Sequence, residues 1–162
     1  MRRATSFALM ISILSALPVV AQTVAFGGMK ADTNAPVEVS ADQRSVNQTT
    51  GKAEFSGNVL IGQGQMKLSA DKVVVQYVQG DTQKIDNLDA TGNVTLVNGP
   101  DAAEAQQAIY EVASGNITLI GDVLLTQGQN VMSGERMVVN LSDGTAQVNG
   151  RVRSVLQPAE QQ

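Results

Sequence analysis

The residues best equipped for chemistry in this 162-residue chain are few and evenly spaced. Asp42, Asp71, Gln106 and Glu135 share one phase. The steps between them are 29, 35 and 29 residues. General acid–base work needs two titratable groups converging on one reacting bond. Single carboxylates a repeat apart make no such pair by themselves, so turn or edge chemistry is expected of them. The chain has no cysteine and no histidine. It therefore has no disulfide framework, no zinc finger, no iron–sulfur site and no imidazole base. The acidic residues are scattered rather than clustered like metal ligands, and no Ser elbow is present. No catalytic residue, metal or cofactor is expected. Arg44, Lys67, Lys72, Lys84 and Arg136 carry the charge to meet phosphates, although such side chains are ordinarily solvated. Tyr77 and Tyr110 suit either a groove mouth or a core with the hydroxyl at its rim. With 11 basic and 15 acidic residues, no basic block, no Trp and 3% aromatics, a nucleic-acid partner is excluded.

Before any fold, residues 1–21 read as a signal peptide. Arg2 and Arg3 precede an apolar run from Phe7 to Leu17, then Pro18 and the small-residue site Val19-Val20-Ala21. A second cut is possible after Ala25. The run is shorter than the ~20 residues that span a bilayer, and no Cys follows to make a lipoprotein. Cleavage leaves 9 basic against 15 acidic residues, net −6. Export of the mature chain follows.

What positions the remaining residues is a repeat. Val39–Val46, Lys67–Val75 and Asn116–Leu125 read as β-type runs, with no helical pattern after the signal peptide. Glycines fall in three columns: Gly51, Gly80, Gly115 and Gly144; Gly57, Gly92, Gly121 and Gly150; Gly64, Gly99 and Gly128. The result is about four 29-residue units, with a loop insertion of six residues within Asp81 to Thr91. Each unit is expected to hold about four short strands separated by turns or bulges that need φ > 0. Gln63-Gly64, Asn98-Gly99 and Gln127-Gly128 fit hairpin turns.

Alternation puts one set of residues on an apolar face. The predicted interior is Val59, Ile61, Leu68, Val73, Val75, Tyr77, Val94, Leu96, Tyr110, Ile117, Leu119, Val123, Leu125, Met132, Met137 and Val139. Val46, Phe55, Leu88, Val112, Leu141 and Val148 occupy further apolar columns. The third unit has Asp101, Ala102, Ala103 and Ala105 where others carry larger residues, implying a thinner core, or a bulge or opening that interrupts it.

Residues 22–35 and 157–162 are expected to be mobile termini around a domain spanning 36–156. An unclosed stack exposes unpaired strand edges suited to strand addition. Val37 and Val39 mark one candidate docking edge, Val152 and Val155 the other. Arg151 and Arg153 would limit uncontrolled stacking. Capping of these ends by the terminal tails is the alternative.

Phe55-Ser56-Gly57-Asn58-Val59, Gln63-Gly64 and Leu68-Ser69-Ala70-Asp71-Lys72-Val73 resemble the OstA-like family. Gly92-Asn93-Val94, Gly121-Asp122-Val123, Gln127-Gly128 and Gly134-Glu135-Arg136 repeat these blocks in phase. The resemblance runs from about Pro36 to Leu156. It implies an all-β, twisted antiparallel β-jellyroll open at both ends, binding the acyl chains of lipopolysaccharide inside. It also implies an end-to-end bridge between the membranes, with head-to-tail self-association possible. The implied partners are an inner-membrane-anchored protein of the same fold, attached to an ATP-binding transporter, and the N-terminal domain of the outer-membrane translocon. Two other readings remain at this point: the membrane-anchored partner itself, and a structural β-repeat polymer without lipid cargo.

Overall fold

The computed structural model describes residues 23–25 and 29–156. The expected signal peptide and the expected tail 157–162 lie outside the described residues. Eleven strands form one sheet: β1 (Thr23–Ala25), β2 (Glu38–Ser40), β3 (Gln43–Asn47), β4 (Lys52–Gln63), β5 (Met66–Val78), β6 (Asp81–Asn98), β7 (Asp101–Glu111), β8 (Asn116–Gln127), β9 (Asn130–Asn140), β10 (Thr145–Asn149) and β11 (Arg153–Val155). All pairings are antiparallel between neighbours, in the order β1-β10-β9-β8-β7-β6-β5-β4-β2. β3 also pairs with β4, and β11 with β9. No helix occurs among the described residues.

The expected four short strands per unit are instead two long strands, each bent once. β2 with β3 acts as one such strand, and β10 with β11 as another. The bends are the register shifts at Ser56/Val59, Ser69/Lys72, Thr91/Val94, Glu104/Gln107 and Ile120/Val123. Here the second glycine column has its structural meaning. Gly57, Gly92, Gly121 and Gly150 lie at φ of 77 to 82°, each followed by a second left-handed residue: Asn58, Asn93, Asp122 and Arg151. Two left-handed residues in sequence turn a strand without ending its pairing. The first and third columns close the hairpins at the two ends of the strands. All eleven column glycines have positive φ.

Bending at a shared line folds the sheet into two facing leaves. In one leaf, register joins Val39, Ile61, Leu68, Leu96, Ala103, Leu125 and Met132 into a single inward row. In the other, Ala53, Val75, Leu88, Tyr110, Ile117, Val139 and Ala146 form a row, beside Phe55, Val73, Ala90, Ala108, Leu119, Met137 and Val148. Burying each large aliphatic member contributes about 1.5–3 kcal/mol.

Three regions depart from the regular repeat. The six extra residues are no loop; they extend β6 to 18 residues, absorbed by register shifts around Tyr77. In the third unit the register shift at Glu104/Gln107 is the bend that every unit has, and the small Ala103 and Ala108 are buried in the inward rows. The segment 22–35, expected to be mobile, is packed where it is described beyond β1. Met29 is fully buried, and Ala31 N–H donates to the Leu141 carbonyl at 2.9 Å. An apolar side chain that reaches the space between the leaves gains burial there that it lacks in water.

Candidate functional site

The space between the leaves is the candidate site. Fifteen of the sixteen predicted interior residues are buried, and Tyr77 is half-buried. The placement follows from the alternation of each strand, since one side of every strand faces the opposite leaf. Val46 departs from the prediction. It lies opposite Ala53 but is 54% exposed, because β3 ends the stack and nothing lies above it.

A polar row lines the seam where the leaves meet. Gln63, Asn98 and Asp101 are all buried. The Tyr110 hydroxyl donates to Gln63 Oε1 across the seam, tying one leaf to the other. Burial pushes the Tyr110 phenol above its ordinary value, partly offset by the hydrogen bond to Gln63. Gln127 donates to Asp101 at 3.3 Å. The hydroxyl of Tyr110 thus sits inside the seam, while Tyr77 sits at the open end.

The bend line carries a second polar column. Asn58 donates to Asp42 at 2.8 Å and Asn93 to Asp71 at 2.8 Å. Gln106 donates to Asp122 at 2.5 Å, and Arg151 Nε to Glu135 at 2.9 Å. The recurring acids of the sequence are therefore brackets for the bends, one per unit. They stand on the exposed outside, and no cluster of potential metal ligands occurs among the described residues.

At the end formed by β2 and β3, a cleft of about 430 Å³ opens toward the interior. Val37, Val39, Phe55, Val75 and Tyr77 line it, and Arg44 lies over the Phe55 ring at 5.5 Å. That volume falls in the range of small-ligand sites. The other end has a notch of about 150 Å³ between Leu125, Met132 and Leu156. Among the proposed phosphate-meeting cations, Lys72 pairs with Glu54 at 2.9 Å and Lys84 with Asp81 at 3.7 Å. Lys67 and Arg136 are exposed.

The two expected docking edges are unequal. Among the described residues β2 pairs with β4 alone and β11 with β9 alone, which leaves an outer edge on each. Val37 and Val39 are half-buried; Val152 is 37% and Val155 60% exposed. β10 is different, because β1 pairs with its Thr145–Gln147 stretch. Capping by the terminal tails is the alternative for the end strands β2 and β11; the structure instead places β1 on β10.

The arrangement is an unclosed sheet with an apolar interior, a polar row at the seam and polar brackets at the bends. Residues 38–145 match the family described as LptA/(LptD N-terminal domain) LPS transport protein. The chain belongs to that family. It is a family of transport proteins, not of enzymes. The lipopolysaccharide export system protein LptA of Escherichia coli K12 is 28% identical over 164 residues, covering 95% of this chain and 88% of that protein. LptA of Haemophilus influenzae is 29% identical, covering 89% of each chain. An uncharacterised Rhizobium meliloti protein is 29% identical over 81% of this chain and 76% of its own length. The crystal structure of LptH from Pseudomonas aeruginosa superposes with a TM-score of 0.70 at 20% identity, covering 79% of this chain and 99% of that one. Its β-jellyroll is the fold found here, consistent with the OstA-like resemblance.

Proposed function

We propose that this protein binds lipopolysaccharide in the periplasm and carries it from the inner toward the outer membrane as one segment of an end-to-end β-jellyroll bridge. The observation that carries the reading is the unbroken apolar interior, fifteen buried predicted residues shared by two leaves, in an LPS transport family fold. Acyl chains are the ligand chemistry that such a surface favours, since apolar area leaves water at about 25 cal/mol per Å². Signal-peptide export fits this location.

The open edges of β2 and β11 give the bridge its joints. A neighbouring strand added to either edge satisfies backbone donors and acceptors that otherwise face water. The partners are an inner-membrane-anchored protein of the same fold at one end and the N-terminal domain of the outer-membrane translocon at the other. Additional copies of this chain stand between them. The chain has no energy source of its own, so movement of lipid relies on a partner ATPase. Direct titration of purified protein with fluorescent lipopolysaccharide tests the reading. Saturable binding, competed by unlabelled lipopolysaccharide, is expected. Failure to bind, in protein shown by circular dichroism to be folded, refutes it.

A further inference from the structure

Residues 29–35 run along the seam as a strap. Met29 fills part of the interior, and Ala31, Thr33 and Ala35 are half-buried while Asp32 and Asn34 face water. The strap is held by side-chain amides. Asn98 Nδ2 donates to the Lys30 carbonyl at 3.1 Å. Gln63 Nε2 donates to the Thr33 and Ala35 carbonyls at 3.0 and 2.9 Å. Both amides come from the hairpin pairs Gln63-Gly64 and Asn98-Gly99, so the repeat places equivalent donors along the seam. Both are at most 2% exposed, and a buried amide donor without an acceptor is costly. Whatever fills the seam must therefore present carbonyl oxygens to these amides.

The strap presents two chemical features: an apolar group inside and carbonyl oxygens at the seam. An acyl chain with its ester or amide linkage presents the same two. We propose that the 29–35 strap is an internal occupant of the lipid groove, and that entering lipid displaces it and offers its acyl-linkage carbonyls to Gln63 and Asn98. The proposal rests on the lipid-carrying reading above. The strap is suited to exchange, because one large apolar side chain and a few hydrogen bonds hold it, and small local contacts open first. Tethering just before β2 lets it return when lipid leaves.

A disulfide tests the exchange. A Cβ placed on Gly64 lies 3.7 Å from the Asp32 Cβ, within the span a disulfide bridges. The left-handed φ of 59° at Gly64 strains the new cysteine, so circular dichroism first shows that the reduced variant is folded. The chain has no other cysteine. The full-length Asp32→Cys/Gly64→Cys protein is titrated with fluorescent lipopolysaccharide, oxidised and reduced. Binding at least tenfold weaker when oxidised, and restored on reduction, is expected. Equal binding in both states overturns the proposal while leaving lipid carriage intact. Loss of binding by wild-type and reduced protein alike overturns the carriage reading itself.

Recognition of the carbonyls is read separately. A lipid A disaccharide with acyl ester and amide linkages is expected to compete about tenfold better than its alkyl-ether counterpart. Asn98→Leu and Gln63→Met are expected to reduce that preference. Equal competition by the two lipids with wild-type protein, or an unchanged preference in both variants, overturns the carbonyl role.

Discussion

Gly92→Ala isolates what the bends contribute. Gly92 has φ of 80°, and a Cβ there would lie 2.5 Å from Asp71 Oδ2 and 3.0 Å from the Asp71 Cβ. Left-handed backbone costs a residue with a Cβ roughly 1–2 kcal/mol. Asp71 must also shift, which breaks its 2.8 Å hydrogen bond from Asn93, worth about 0.5–1.5 kcal/mol. Together the substitution is expected to cost about 1.5–3.5 kcal/mol. Gly62→Ala is the control, since nothing lies within 4 Å of its Cβ and its φ is ordinary. It is expected to change stability by less than about 0.5 kcal/mol. The assay is urea unfolding, with the midpoint falling and the slope unchanged. Asp71→Ala in the Gly92→Ala background should recover part of the contact cost and none of the backbone cost, visible as coupling in the double-mutant cycle. A Gly92→Ala protein as stable as Gly62→Ala would refute the claim that left-handed pairs set the bends.

The other predictions concern core, seam and ends. Leu96→Ala should cost about 2–5 kcal/mol because Leu96 is fully buried, whereas Leu124→Ala on the outer face, 36% exposed, should cost less than about 1 kcal/mol; urea titration checks both. Tyr110→Phe leaves Gln63 Oε1 without its donor and should cost about 1–3 kcal/mol in the same assay. The raised Tyr110 value means that the unfolded chain ionises first; this contribution is intact below the ordinary tyrosine value of about 10 and is lost as pH rises through the higher folded value. Tyr110→Phe should lose that part of the alkaline fall in stability. If β11 is a docking edge, Val155→Pro should keep the chain monomeric in sedimentation at concentrations where wild type associates; equal association would remove this edge from the bridge. N-terminal sequencing of exported protein should begin at Gln22, because a cut after Ala25 would remove β1 from β10.

Much of this was legible in the residues. Glycine phase announced the repeat, and alternation named the interior, because side-chain direction in a strand depends only on parity. The bends were harder to read, since Gly57-Asn58 and Gln63-Gly64 look alike as turn signals. The distinguishing mark is the partner 16 or 22 residues away. Asp42 with Asn58, Asp71 with Asn93, Gln106 with Asp122 and Glu135 with Arg151 are complementary in every unit. The third unit exchanges acid and amide, which a column-by-column comparison of the chain with itself would expose. The strap was illegible. Met29 stands alone before Pro36 with no periodicity, and its burial depends on a cavity made by distant strands. Val46 misled for the opposite reason: its parity is correct, but parity does not say where the stack ends.

The central claim is that the interior, and not the outer face, receives lipid. Leu96 and Thr95 are adjacent on β6 and point to opposite sides, the first fully buried and the second half-buried on the outer face. A photo-crosslinking residue at each position, activated in living cells, reads this directly. The account predicts a lipopolysaccharide adduct at position 96 and none at 95. Adducts of equal yield at the two positions, or none at 96 in folded, exported protein, would contradict it.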